Sequence, residues 1–225
     1  MNRIQKAALG IVLAGVGLTA GIGLLHTSVG RPLLAAIGGC PVKATPASAE
    51  KARMASVVKM RGDAPATAKP AAGFTMDRSS PEDVHAWAKK HGLACKDGRE
   101  GMLVTCTDVP ERALGDRPAT DRTVSEVAFA FRPRDKALVN LSVVTHGLPA
   151  GVAASEMTRT KARLDEQLGR PTTEAGEISE GTFAKGALST ATVSYNRSDF
   201  VAELSATAFG TRGVMVREHY VSAVD

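Results

Sequence analysis

Two cysteines and two histidines in the middle of the chain have side chains that could bind a metal or form a covalent cross-link. Cys95 and Cys106 are eleven positions apart, and His85 and His91 precede them. Thiolates and imidazoles are zinc ligands, whereas two thiols outside the cytoplasm form a disulfide. Because His85 and His91 are six positions apart, they would not share one face of a helix. The spacing favours a disulfide, with two reduced core cysteines or a metal site at these four residues as the alternatives.

The segment that contains both cysteines has the pattern of a β-hairpin. Leu93–Lys96 and Met102–Thr107 are short strand-forming runs, and the residues between them favour a turn. If the cysteines face each other, the register places a two-residue turn at Glu100 and Gly101. A disulfide closing so short a loop would stabilise the fold by somewhat less than about 3 kcal/mol.

Motifs of the common enzyme classes do not occur in the sequence. It contains no Gly-x-Ser-x-Gly, no phosphate-binding loop and no His-Glu-x-x-His. His26, His146 and His219 are scattered, and we interpret them as surface or structural residues. Carboxylate pairs such as Asp165 and Glu166 fall on a polar helix face, where solvation explains them. The sequence therefore predicts a protein that is not an enzyme and holds no cofactor.

The basic charge of the chain is confined to its N-terminal third. Residues 1–73 carry nine Lys and Arg and two acids, whereas residues 74–225 carry nineteen Lys and Arg and twenty-one acids. A nucleic-acid site needs clustered cations on the folded domain, and that part of the chain is nearly neutral. Aromatic residues make up only 4% of the chain, so bases would find few stacking partners. We therefore expect no nucleic-acid partner.

The N-terminal residues 1–25 are predicted to anchor the protein in a membrane. Ala7–Leu25 is an uncharged run of nineteen residues behind Arg3 and Lys6. As a helix it would span roughly 28 Å, close to the hydrocarbon thickness of a bilayer. The nearest small-x-small cleavage motif, Ala47–Ala49, lies more than twenty residues further on. An uncleaved signal anchor is therefore favoured over a cleaved signal peptide.

Three residues in or near this anchor suggest further properties. Gly17 and Gly21 have the GxxxG spacing that allows close helix contact, which makes a homo-oligomer through the membrane helix a hypothesis. Cys40 ends a segment similar to a lipoprotein processing site, but Arg31 and Pro32 interrupt the apolar segment upstream. A small apolar residue in a membrane-proximal turn is the favoured interpretation of Cys40, and lipidation is the alternative.

The charges beside the anchor predict its orientation. A short N-terminus with two basic residues normally stays in the cytoplasm, which exports the rest of the chain. We therefore expect a single-pass protein of the inner membrane with a periplasmic C-terminal domain. The basic residues that follow the anchor argue in the opposite direction.

Residues 26–73 have the composition of a basic linker that contains proline and alanine. Thr45 and Pro46 form a helix start, and Gly62 stops the helix. Glu50–Arg61 is predicted to carry three apolar residues on one side, namely Met54, Val57 and Val58. This segment is either a basic helix near lipid headgroups or a solvated helix or tether. The globular domain is expected to start near Gly73.

Residues 74–225 show one order of elements twice. A helix capped by Ser80 and closed by Gly92, with Trp87 as its largest core residue, precedes four predicted strands. A second helix, Ala153–Leu168, precedes three more: Ser189–Tyr195, Phe200–Phe209 and Val214–Val221. This order predicts an α+β fold in which helices cover one face of an antiparallel sheet.

The repeated order, with a helix that ends in Leu168-Gly169-Arg170-Pro171-Thr172, resembles two families of small exported domains. These are the β-lactamase-inhibitor-protein-like and the outer-membrane-assembly-lipoprotein-like domains. The resemblance implies a domain that binds proteins and transfers no functional residue. The leading hypothesis is an accessory or assembly factor of an envelope complex. The alternatives are an envelope hydrolase or metal-dependent enzyme with a dispersed site, and a sensor with an apolar ligand cavity.

Overall fold

The computed structural model describes residues 46–115, 117 and 122–224, which form helices and strands in an α+β arrangement. Four α-helices and eight β-strands lie within these residues. The helices are α1 (Pro46–Val58), α2 (Pro81–His91), α3 (Ala150–Leu168) and α4 (Glu180–Ala184). The strands are β1 (Cys95–Gly98), β2 (Leu103–Pro110), β3 (Thr123–Phe131), β4 (Leu138–Leu148), β5 (Thr173–Ala175), β6 (Thr190–Asn196), β7 (Phe200–Ala208) and β8 (Val214–Ser222).

All eight strands belong to one antiparallel sheet in the order β1-β2-β3-β4-β8-β7-β6-β5. The last strands of the two halves pair at the centre, from Asn140 opposite Val221 to Thr145 opposite Val216. The predicted α+β class and the repeated helix-then-strands order are confirmed. The short strand β5 and the helix α4 were not predicted, and with β5 each half contributes four strands.

Helices α2, α3 and α4 pack on one face of the sheet and share a single hydrophobic core with it. Helix α2 begins as its sequence predicts, because Ser80 and Asp83 cap it reciprocally and Gly92 ends it in the left-handed region. Each of the three helices buries apolar side chains against inward-facing residues of the strands. The core includes Val84, Met157, Leu164 and Phe183 from the helices and Phe129, Leu141, Leu204 and Tyr220 from the strands.

Helix α1 lies on the opposite face of the sheet. Val57 is 2% exposed and packs against Val201, Val221 and Ala223. Val201 and Val221 alternate along their strands with residues of the main core, so they point away from α2–α4. Val58, by contrast, is 53% exposed. Thus Val57 and Val58 lie on different sides of α1, whereas the sequence analysis expected them on the same side.

Residues 59–73, here called the strap, connect α1 to the main core. The amide of Ala66 donates to Asp199 Oδ1 at 2.8 Å, and Lys69 pairs with the same carboxylate at 3.0 Å. Further along, Ala71 and Ala72 are buried in the core beneath the helices. The compact unit therefore begins at Glu50, whereas the sequence analysis assigned residues 26–73 to a linker.

The predicted membrane anchor lies outside the described residues. Ala7–Leu25, the glycine pair Gly17 and Gly21, and Cys40 all precede residue 46. Within the part of the chain that the structure describes, no helix has the length and apolarity needed to cross a bilayer.

Candidate functional site

Two polar regions of the domain could support a function: a buried cluster of charges and the sheet face opposite α2–α4. At the centre of the buried cluster, Glu218 on β8 is 2% exposed and points toward the helices. It accepts hydrogen bonds from Arg117, from Arg163 on α3 at 2.7 Å and from the Tyr220 hydroxyl at 2.5 Å. Burial favours the neutral acid, but Arg117 and Arg163 outweigh it and hold the pKa of Glu218 below its ordinary value. Glu218 is therefore ionised at neutral pH.

The rest of the buried cluster ties the segment before β3 to helix α3. Glu156 on α3 accepts from Arg122 at 2.8 Å and from Arg159. Beside these pairs is a small cleft of about 30 Å³ lined by Glu111, Arg117, Glu156, Arg159, Thr160 and Arg163. The predicted ligand sensor would need an apolar cavity, and this cleft is lined by charged side chains. We interpret the cluster as a structural element that fixes α3 on the sheet.

The sheet face opposite α2–α4, here called the outer face, is built from alternate residues of the central strands. On β8, for example, Val216 and Tyr220 are buried in the core, whereas Arg217 and His219 point to the outer face. Most side chains of this face are small. The small side chains include Ala128, Ala130, Ser142, Val144, Ser205, Thr207, Thr192 and Ser194. Among the described residues, Val57 of α1 covers only the end of the face formed by Val201 and Val221.

A polar group occupies the centre of the outer face. Strand pairing places His219 between Ser142 on β4 and Glu203 on β7. His219 Nε2 lies 2.9 Å and 3.2 Å from the side-chain amide atoms of Asn140. Arg217 Nε donates to Ser142 Oγ at 3.0 Å, and this is the one hydrogen bond of its guanidinium within the described residues. The two terminal nitrogens of Arg217 are therefore available to a partner.

The neighbouring Ser142, His219 and Glu203 do not form a hydrolase triad. The imidazole is hydrogen-bonded to Asn140, and the Ser142 hydroxyl accepts from Arg217. A triad requires the base to bond the nucleophile directly. Burial, and secondarily the positive charge of Arg217, lowers the pKa of His219 to about 4. Such a histidine is a poor general base near neutral pH.

The four histidines of the described residues do not converge in one pocket, and His26 lies outside those residues. On α2, His85 lies 3.2 Å from the carboxylate of Asp97, while His91 lies beside the ring of Trp87. His146 is exposed near the end of β4. Within the described residues, no group of three or more His, Cys, Asp or Glu is arranged to hold a metal. Neither the metal site at His85, His91, Cys95 and Cys106 nor a dispersed histidine site therefore has geometric support here.

The predicted pairing of Cys95 and Cys106 agrees with the geometry of the hairpin. The two residues are opposite each other in the register of β1 and β2, and their sulfur atoms lie at disulfide distance, 1.98 Å apart. The expected two-residue turn was wrong, because Gly98 pairs with Leu103 and leaves a four-residue connection. That connection is closed by a hydrogen bond from the Met102 amide to the Arg99 carbonyl at 3.1 Å.

Reduction of this cysteine pair should destabilise the domain by about 2–3 kcal/mol, because a cross-link restricts the unfolded chain. Urea unfolding followed by circular dichroism, with and without dithiothreitol, measures the change. A Cys40→Ser variant is the matched control and should show the same dependence on reductant. Alkylation of Cys95 or Cys106 in native, unreduced protein would show that the bond is not present.

Comparison with protein families, curated proteins and solved structures finds no match for this chain.

Proposed function

We propose that this protein is a membrane-anchored, extracytoplasmic domain that binds a protein partner through the outer face, as an accessory or assembly factor of a cell-envelope complex. The observation that carries the proposal is the guanidinium of Arg217, which makes one hydrogen bond within the described residues and is surrounded by small side chains of the outer face. The apolar run Ala7–Leu25 supports an anchor in the inner membrane. A cysteine pair at disulfide distance suits an oxidising compartment such as the periplasm.

The size of the outer face suits a protein partner. Its five central strands, spaced by about 4.8 Å, are together roughly 24 Å wide. Strands β3, β7 and β8 have nine residues each and are therefore about 30 Å long. The resulting area of roughly 700 Å², which includes the end covered by Val57, is of the same order as the 800 Å² that each partner contributes to a standard interface. A small molecule would use only a fraction of such a flat surface.

The chemistry of the outer face indicates what the partner presents. Arg217 has two terminal nitrogens available for a carboxylate, and arginine is one of the residues enriched at the energetic centres of interfaces. Ser142 and Ser205 beside it are small enough to leave room for a bulky side chain. We therefore propose a folded protein that places an acidic residue on Arg217 and packs large apolar side chains around it.

Site-specific photocrosslinking in cells tests this proposal. The photoreactive residue p-benzoylphenylalanine replaces Ser205 on the outer face or, as the matched control, Ser155 on the exposed side of α3. We expect one discrete adduct with another protein from position 205 and none from position 155. The measurement is an immunoblot followed by mass spectrometry of the adduct. Identical adducts at both positions, no adduct at 205, or an adduct of two copies of this chain would contradict the proposal.

A further inference from the structure

Exposed apolar side chains are concentrated at the end of the domain where α1 meets the C-terminus. Val58, Met60 and Val224 are 53%, 39% and 40% exposed. Their neighbourhood is fixed because Val57 packs on Ala223 and the Arg61 guanidinium donates to the Ala223 carbonyl. The other exposed large hydrophobic residues of the described chain are Val152 and Leu188.

Leu188 lies at the end of the sheet opposite to the end that α1 contacts. Its amide donates to the carbonyl of Ala208 at 2.7 Å, at the last residue of β7. Val201, which contacts α1, is the second residue of the same strand. The nine residues of β7 span about 30 Å. Leu188 therefore provides an internal reference far from Val58 and Met60.

Exposed cations lie next to the exposed apolar residues of α1, and the nearest exposed acid in the sequence is Asp63. The exposed positions of this helix include Lys51, Ala55 and Val58, and Lys59 and Met60 follow directly. The acidic residue of α1, Glu50, is held by Arg53 at 2.7 Å and is 19% exposed. The exposed surface of α1 thus combines cations with apolar side chains. We call the set Lys51, Val58, Lys59, Met60, Arg61 and Val224 the basal patch.

The basal patch extends along α1, from Lys51 near the helix start at Pro46, where the chain from the predicted anchor enters the domain, to Val58, about 18 Å from Pro46 along the helix. Twenty residues, 26–45, separate the apolar run from Pro46 at the start of α1. Even fully extended, they span at most about 70 Å. Cations interspersed with exposed apolar residues are typical of surfaces that bind anionic lipid headgroups.

We infer that the basal patch rests on the surface of an anionic phospholipid bilayer. Val58 and Met60 reach the boundary between headgroups and acyl chains, while Lys51 and Lys59 contact the lipid phosphates. This inference rests on the membrane anchor of the proposed function. The new element is that the folded domain itself contacts the bilayer, in addition to its covalent connection to the anchor.

Spin-label accessibility in the full-length protein tests the inference. The protein carries Cys40→Ser and a nitroxide at Met60→Cys or, as the reference, at Leu188→Cys, and is reconstituted in nanodiscs of equimolar phosphatidylglycerol and phosphatidylcholine. We expect the label at 60 to collide mainly with oxygen and the label at 188 mainly with a water-soluble nickel chelate. In nanodiscs of phosphatidylcholine alone, the label at 60 should become accessible to the chelate.

Charge reversal separates lipid contact from other causes of shielding. Each cation at an anionic surface contributes about a fivefold change in binding. Lys59→Glu should therefore reduce at least about fivefold the ratio of protein whose label at 60 is shielded from the chelate to protein whose label is exposed. Lys185→Glu, an exposed lysine after α4, is the matched control and should have no effect. Protein that floats with vesicles but shows a water-exposed label at 60 would overturn the inference and leave the anchor intact. Failure to float would overturn both the inference and the anchor.

Discussion

Replacing Glu218 by glutamine should lower the free energy of unfolding by about 3–5 kcal/mol. The substitution leaves the buried guanidinium of Arg117, whose side chain is 6% exposed, and that of Arg163 without their common counter-charge. Desolvated charges without a partner are among the most destabilising features of a core. Urea unfolding followed by circular dichroism measures the change.

The matched control for Glu218 is Glu203 on the neighbouring strand. Glu203 is half-buried on the outer face, so Glu203→Gln should change stability by less than about 0.5 kcal/mol. The two variants also differ in pH dependence. The folded pKa of Glu218 is lowered, so its stabilising contribution is complete above the unfolded pKa and is lost as pH falls through the folded value. Equal effects of the two substitutions, or an unchanged acid transition in Glu218→Gln, would show that the buried cluster is not structural.

Replacing Trp87 by alanine should lower the free energy of unfolding by about 3 kcal/mol. The indole lies edge-on to Phe74 at 5.2 Å and to Phe129 at 5.7 Å between ring centroids, and its Nε1 donates to the Ala113 carbonyl at 2.9 Å. The substitution removes all three contacts and leaves a cavity between α2 and the sheet. Chemical unfolding measured by circular dichroism gives the change, since this is the single tryptophan of the chain.

The conservative variant Trp87→Phe separates the hydrogen bond from the packing. It keeps an aromatic ring and leaves the Ala113 carbonyl without the indole donor, for an expected loss of about 1 kcal/mol. Stability of the alanine variant within 0.5 kcal/mol of the parent would mean that α2 does not depend on this side chain, contrary to the packing described above.

Local patterns in the sequence were sufficient to predict most helices and strands. Helix α2 carries its own start and stop signals in Ser80 and Gly92, and strands β3 and β8 show the period of two expected for a half-covered sheet. The spacing of Cys95 and Cys106 likewise gave the register of β1 and β2. These features depend on residues that are close together in the chain.

The strap could not be recognised from the sequence, because backbone groups hold much of it. The Ala64 carbonyl accepts from the Ser198 amide at 2.8 Å, and the Ala66 amide donates to Asp199. A segment rich in proline, alanine and basic residues gives no side-chain pattern that would reveal such contacts. Strand β5 was missed for a related reason, since its three residues are all exposed.

The candidate site was only partly predictable, because it depends on contacts between distant segments. Alternation along β8 places Arg217 and His219 on one face, and this signal was present in the sequence. Their partners Ser142 and Asn140 lie more than seventy residues earlier, and only the pairing of β4 with β8 brings them together. The buried pair of Arg117 and Glu218 spans 101 positions, a separation that no local pattern reveals.

The central claim, that the outer face binds a protein partner through Arg217, is tested most directly by the yield of the crosslinked adduct from position 205. Arg217→Glu should lower that yield more than about tenfold, because it replaces the proposed contact to a carboxylate with a like charge. Arg212→Glu, an exposed arginine in the turn between β7 and β8, is the control and should leave the yield unchanged. An undiminished adduct in a folded Arg217→Glu variant would contradict the claim.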